Sequence, residues 1–208
     1  MKLRVFAIAA LGIVAASSGL AAAETSFGRF IGKLVAEFEG DGRKVVLIEP
    51  YSFVDPMGEE WPVPAGAKTD GASVPSAFWA LYPPFTGSYR AAAVIHDYYC
   101  DTKKRTWQDT HKVFYYAMRS AGVDERNAKV LYGAVYLFGP RWGPGTAPGQ
   151  RNAAPVATQS QQVALMKELQ ELVAKENPDL DKLTVEAKRM ARPGGIAPKP
   201  EPAQESPE

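Results

Sequence analysis

Apolar residues recur every three or four positions in three successive stretches of the chain, and each stretch predicts a helix. Ser88 can cap the first, which carries Ala91, Ala92, Ile95 and Tyr99. Thr106 can cap the second, with Val113, Phe114, Ala117 and Met118, and Gly122 ends it. Asp124 can cap the third, with Val130, Leu131, Ala134, Val135 and Phe138. The links are short, so successive helices should run roughly antiparallel. Upstream the pattern changes to brief β-branched and aromatic runs punctuated by Gly, Pro and Asp. Phe30, Leu34 and Phe38 predict a first strand, although their spacing also suits a helix, and Asp41-Gly42 a turn. Lys44 to Ile48 predicts another strand, and Tyr51 to Val54 with Glu60 to Val63 a hairpin around Pro56-Met57-Gly58. The expected class is α+β: a small antiparallel β-rich N-terminal half packed on a three-helix C-terminal half, followed by a helical and disordered tail.

Both ends of the chain differ from this middle. Lys2 and Arg4, the apolar run Val5 to Ala16 and the small residues Ala21-Ala22-Ala23 read as a cleaved export signal over residues 1–23, with a periplasmic or secreted mature chain. The globular domain then covers 24–142, and a Pro/Gly-rich linker covers 143–159. A helical segment follows at 160–192, with Val163, Met166, Leu169, Leu172 and Val173 on one stripe, and Asp181 can cap its second helix. That stripe should dock on the domain or pair with another copy. Residues 193–208 are disordered by composition. The one cysteine, Cys100, excludes an internal disulfide and reads as a buried thiol. Net charge is +1, from 24 basic and 23 acidic side chains, which argues against a nucleic-acid partner.

The candidate chemistry is concentrated at His96-Asp97 in the first predicted helix, one of only two histidines in the chain. His96 shares the inward stripe of Ala92 and Tyr99, whereas Asp97 is rotated by about 100°. Asp109, one turn before Val113, should open the buried face of the next helix and meet His96 across the interface. An aspartate holding one imidazole N–H leaves the other nitrogen as a general base. The same pair could equally lock two helices together and do no chemistry. Upstream, Thr69-Asp70-Gly71-Ala72-Ser73-Val74-Pro75 reads as a fixed loop in which Asp70 either accepts backbone bonds or, with Ser73, points into a site. A Ser73-His96-Asp109 triad is conceivable, but Ser73 lacks a nucleophile-elbow setting. Zinc is the weaker metal expectation, because His111 lies about 200° from Asp109 and only carboxylates would accompany His96. Calcium is easier, with Asp97, Asp70 and carbonyls as hard ligands.

Thr69 to Pro75, Trp79, Ala92-Ala93-Val94-Ile95-His96-Asp97-Tyr98-Tyr99, Arg105, Asp109, Phe114 and Gly122 together resemble the DUF1353 family of uncharacterised bacterial and tailed-phage proteins. The resemblance covers roughly 28–142 and implies a fold neighbourhood without an activity. More loosely, the His-Asp pair is similar to that of secreted phospholipases A2. That similarity implies His96 as base, Asp97 as calcium ligand, Asp109 as orienting residue and Tyr99 in support. The chain lacks the glycine-rich calcium loop and the helix-linking disulfides of those enzymes.

Two expectations follow. One is a hydrolase of an envelope ester or amide, with His96 and Asp109 catalytic and Asp70, Ser73, Tyr99 and Arg105 supporting. The other is a non-catalytic envelope or phage-derived structural or interaction protein. The hydrolase needs His96 reachable from solvent; the structural protein needs it enclosed. A third reading, an inhibitor-like binder, needs an exposed apolar patch around Trp61, Trp79 and Trp107.

Overall fold

Among the described residues, the β half consists of two three-stranded antiparallel sheets. The computed structural model describes residues 27–40, 44–69, 87–148 and 158–191. The predicted leader, the predicted turn at Asp41-Gly42, the predicted loop with Asp70 and Ser73, Trp79 and the segment from residue 193 lie outside the described residues. β1 (Arg29–Ile31), β4 (Tyr51–Val54) and β5 (Glu60–Val63) form one sheet with β4 central. β2 (Ala36–Phe38), β3 (Val45–Leu47) and β6 (Lys68–Thr69) form the other with β3 central. The run from Phe30 to Phe38 is therefore two strands in two sheets, not one strand with a shared face. Gly32, at φ 85°, lies between them in a conformation an L side chain resists. Phe30 turns inward onto Tyr51 and Phe53, whereas Phe38 is exposed.

The predicted hairpin forms as expected, and Asp55 organises it. Its carboxylate accepts the backbone N–H groups of Met57 and Glu59 at 2.9 and 3.0 Å and the indole N–H of Trp61 at 3.1 Å. Pro62 has no N–H to give, and β5 is an edge strand that needs none from it. Its carbonyl instead accepts the hydroxyl of Tyr99 at 3.3 Å, joining sheet to helix.

Among the described residues, five helices follow: α1 (Arg90–Thr102), α2 (Trp107–Ser120), α3 (Glu125–Phe138), α4 (Gln159–Glu176) and α5 (Leu180–Met190). Thr106 and Asp124 cap α2 and α3 as predicted, and Gly122 follows α2 at φ 84°. α1 starts at Tyr89 without a side-chain cap, so Ser88 does not serve. Asp179 rather than Asp181 caps α5, since Pro178 ends the preceding link and Asp181 already lies in the first helical turn. Among the described residues, no helix is long and apolar enough to cross a membrane.

The amphipathic segment docks on the domain. Leu165, Leu169 and Val173 of α4 and Leu183, Ala187 and Met190 of α5 join the apolar core built by α1, α2 and α3. A Cβ on Gly133 of α3 would come within 2.7 Å of both methyl carbons of Leu169, so the glycine admits the leucine. Buried Lys129 bridges Glu125 at 2.6 Å and the side-chain oxygen of Asn177 at 2.9 Å, and Tyr132 pairs with Thr184 at 2.7 Å. Val163, expected on the stripe, is exposed, and Leu165 takes its place in the core.

Candidate functional site

α1 carries His96 inward as its spacing predicts, and the side chain is fully enclosed. Its Nε2 lies 2.8 Å from Nδ1 of His111 on α2, hydrogen-bond distance for one donor and one acceptor ring. The ring of Phe114, one turn further along α2, stacks on His96 at 4.6 Å between centroids. Cys100, four residues after His96 and so on the same helix face, puts its Sγ 3.6 Å from the same Nε2. The cysteine is buried and forms no disulfide. His96, Cys100 and His111 thus converge, each offering a ligand atom within 4.8 Å of the others.

Asp97 is the second surprise. It is buried, its Oδ2 accepting the hydroxyl of Thr69 at the end of β6. Its Oδ1 lies 3.9 Å from Nδ1 of His96 and has no hydrogen-bond partner. Rotation by about 100° takes Asp97 off the face of His96. It remains enclosed because α1 also packs against β5 and β6. The polar core therefore runs Thr69, Asp97, His96, His111, with Cys100 beside the two imidazoles.

Asp109 does not join it. The residue is exposed, with its backbone N–H bonded to Thr106 Oγ1 at 3.1 Å and its carboxylate accepting that hydroxyl at 2.6 Å. A carboxylate in a first helical turn is stabilised by the helix dipole and by solvent, and needs no buried partner. The buried face of α2 begins with Thr110 and His111 rather than with Asp109. His111 faces α1, correcting the expectation that it lies too far around the helix to meet His96. Zinc accordingly has softer ligands available than carboxylates alone.

The supporting residues also have other partners. Tyr99 bonds to Pro62 rather than to the histidine, and burial pushes its phenol up to about 12. Arg105 bonds to Glu59 at 2.9 Å and lies over the Trp61 ring. Arg105 and Asp109 do share a separate cleft of about 310 Å³ with Asp55, Glu59, Lys112 and Tyr116. Trp61 is itself buried and Trp107 half-buried, so neither forms an exposed patch.

Burial holds the His111 imidazole well below its usual 6.5, aided by the charges of His96 and Arg141. The Pro140 carbonyl opposes this, but at a geometry short of a hydrogen bond, and Nε2 of His111 has no partner. The unfolded chain therefore takes up this proton at a higher pH than the folded one. The associated stability is complete above pH 6.5 and is lost as pH falls toward the depressed folded value. The expected result is a urea midpoint that falls as pH is lowered from about 7.5 to about 5.5. A flat midpoint over that range would mean that His111 is not held neutral.

Sequence comparison finds this core similar to a family of unknown role. Residues 45–135 match the model of a protein of unknown function, DUF1353, a span that includes His96, Cys100 and His111. The uncharacterized protein y4jT of Sinorhizobium fredii (strain NBRC 101917 / NGR234) is 46% identical over 129 residues, covering 60% of this chain and 38% of that protein. The uncharacterized protein y4iH of the same strain is 44% identical over 125 residues, covering 58% of this chain and 50% of that protein. The chain thus spans half or less of the length of these two relatives. No solved structure matches it. The segment from residue 45 to residue 135, which holds the buried His–Cys–His core, is thus similar to the DUF1353 family.

Proposed function

We propose that this chain is a non-catalytic structural or interaction protein, in which the polar core of the DUF1353 domain locks helix packing. One observation carries this reading: His96 is fully enclosed and its Nε2 is engaged by His111. A general base must reach a substrate proton directly or through one water. An imidazole enclosed on all sides and shared with a second imidazole is better suited to fixing the register of α1 against α2. Asp97 extends the lock to β6 through Thr69. The leader pattern of Lys2, Arg4 and Val5 to Ala16 supports placing the protein in the envelope or outside the cell.

A hydrolase of an envelope ester or amide is the competing reading. The observation that favours it is the approach of Asp97 Oδ1 to His96 Nδ1 at 3.9 Å, which replaces the expected Asp109 as the orienting carboxylate. His96→Ala separates the two. The packing reading expects a loss of about 1–3 kcal/mol in urea unfolding, from the buried Nδ1 of His111 left without a partner. An unchanged midpoint, together with an esterase or amidase activity that the substitution abolishes, would overturn it.

A further inference from the structure

We propose that His96, Cys100 and His111 form a binding site for one soft transition-metal ion of the Zn²⁺ or Cu⁺ type. The inference extends the packing reading without depending on it, since the imidazole pair holds α1 to α2 with or without an ion. Two imidazoles and a thiolate are the donors such ions prefer over hard oxygen-seeking cations. The spacing is already close to what coordination requires. Tetrahedral bonds of about 2.05 Å to nitrogen and about 2.3 Å to sulfur place those two atoms about 3.6 Å apart, and two nitrogens about 3.3 Å apart. His96 Nε2 and Cys100 Sγ are 3.6 Å apart. His96 Nε2 and His111 Nδ1 are 2.8 Å apart, so the rings need to separate by only about half an ångström.

A second, independent observation concerns the outward side of each ring. Two buried polar atoms of this core have no partner: Asp97 Oδ1, which faces Nδ1 of His96, and Nε2 of His111. With a metal on the inward nitrogens, each neutral ring carries its proton on the outward one. His96 then presents Nδ1–H to Asp97 Oδ1, and His111 presents Nε2–H toward the Pro140 carbonyl. Ligating histidines ordinarily make such outer bonds, which fix ring and tautomer. The proton between the imidazoles moves to the outward nitrogen of its own ring, and the Cys100 thiol releases one proton to solvent. His96 and Cys100, four apart on one helix, supply two ligands from a single face, and α2 supplies the third.

The test uses the purified full chain, reduced and stripped with chelator. Zn²⁺ and Cu⁺ are titrated separately, and Co²⁺ serves as a spectroscopic probe of thiolate coordination. The expected result is one tightly bound ion per chain with at least one of the first two, and a thiolate-to-cobalt charge-transfer band. Cys100→Ala should remove the band and weaken binding by about a hundredfold or more, and Asp97→Asn should weaken it by about 10–100-fold. Circular dichroism of each variant reports whether it remains folded. If the wild-type chain binds neither ion at one per chain, or Cys100→Ala binds as tightly as wild type, the site does not exist. The wild-type titration decides this even if a variant fails to fold. A chain that binds no ion yet loses stability in His96→Ala would refute the metal and keep the packing lock.

Discussion

Phe114→Ala is expected to lower the free energy of unfolding by about 3–5 kcal/mol, among the largest effects of any single substitution here. Phe114 is completely buried, and its ring lies nearly parallel to His96, with 28° between planes and 4.6 Å between centroids. Removing the ring costs its transfer energy and leaves a cavity against an imidazole that cannot collapse into it. His96 is also tied at its Nε2 to His111, so its freedom to relax is small. The substitution thus tests packing and the polar core together. Guanidinium unfolding should show a lower midpoint with an unchanged slope, since the surface exposed on unfolding hardly changes. Phe114→Leu, which keeps most of the apolar volume, should recover much of the loss. A loss below about 1 kcal/mol for the alanine variant would mean that the ring is not enclosed as described.

Much of the fold was legible in the periodicity. The stripes around Ile95, Phe114 and Leu131 predicted α1, α2 and α3, and local hydrogen-bonding chemistry predicted the caps at Thr106 and Asp124. The β4–β5 hairpin was equally readable, because Pro56-Met57-Gly58 between two short runs is a turn signal that needs no tertiary support. The front of the β half was not. Phe30 and Phe38 lie in different sheets, and which sheet a three-residue strand joins depends on partners far along the chain.

The core polar residues were legible one at a time but not as a set. His96 was identified because a histidine interrupts an apolar stripe. Its partner was misassigned, because the first turn of α2 offers both Asp109 and His111, and one-turn spacing from Val113 favours the wrong one. Charge supplies the missing signal. A carboxylate beside a Thr cap has its needs met at the surface, whereas a histidine followed by Val113 and Phe114 has to be buried with a partner. The four-residue spacing from His96 to Cys100 was present in the sequence too. It gains meaning only when a second helix brings a third soft donor to the same place.

Leu169→Ala should cost about 2–5 kcal/mol, and the loss should fall chiefly on α4 and α5. These two helices lie beyond the segment shared with the DUF1353 family, yet their apolar residues belong to the same core as α3. Leu169 is fully buried over Gly133, where a side chain on α3 would collide with it. The cavity left by truncation is bordered by a glycine with no side chain to swing in, which places the expected loss toward the upper part of the range. Lys129 and Tyr132 still tie α3 to Asn177 and Thr184, so the helices should loosen rather than separate. Hydrogen exchange is the discriminating measurement. Amides of α4 and α5 should lose protection by several orders of magnitude, while those of α1 and α2 change little. The reverse substitution, Gly133→Val, should give the same pattern by wedging the interface apart, since the added carbon would start 2.7 Å from the Leu169 methyl carbons. If both variants leave α4 as protected as in the wild type, the segment is held by something other than the Gly133–Leu169 contact. If both release it while the His96–His111 pair persists, the segment that matches the family and the helices beyond it are held by separable contacts of one core.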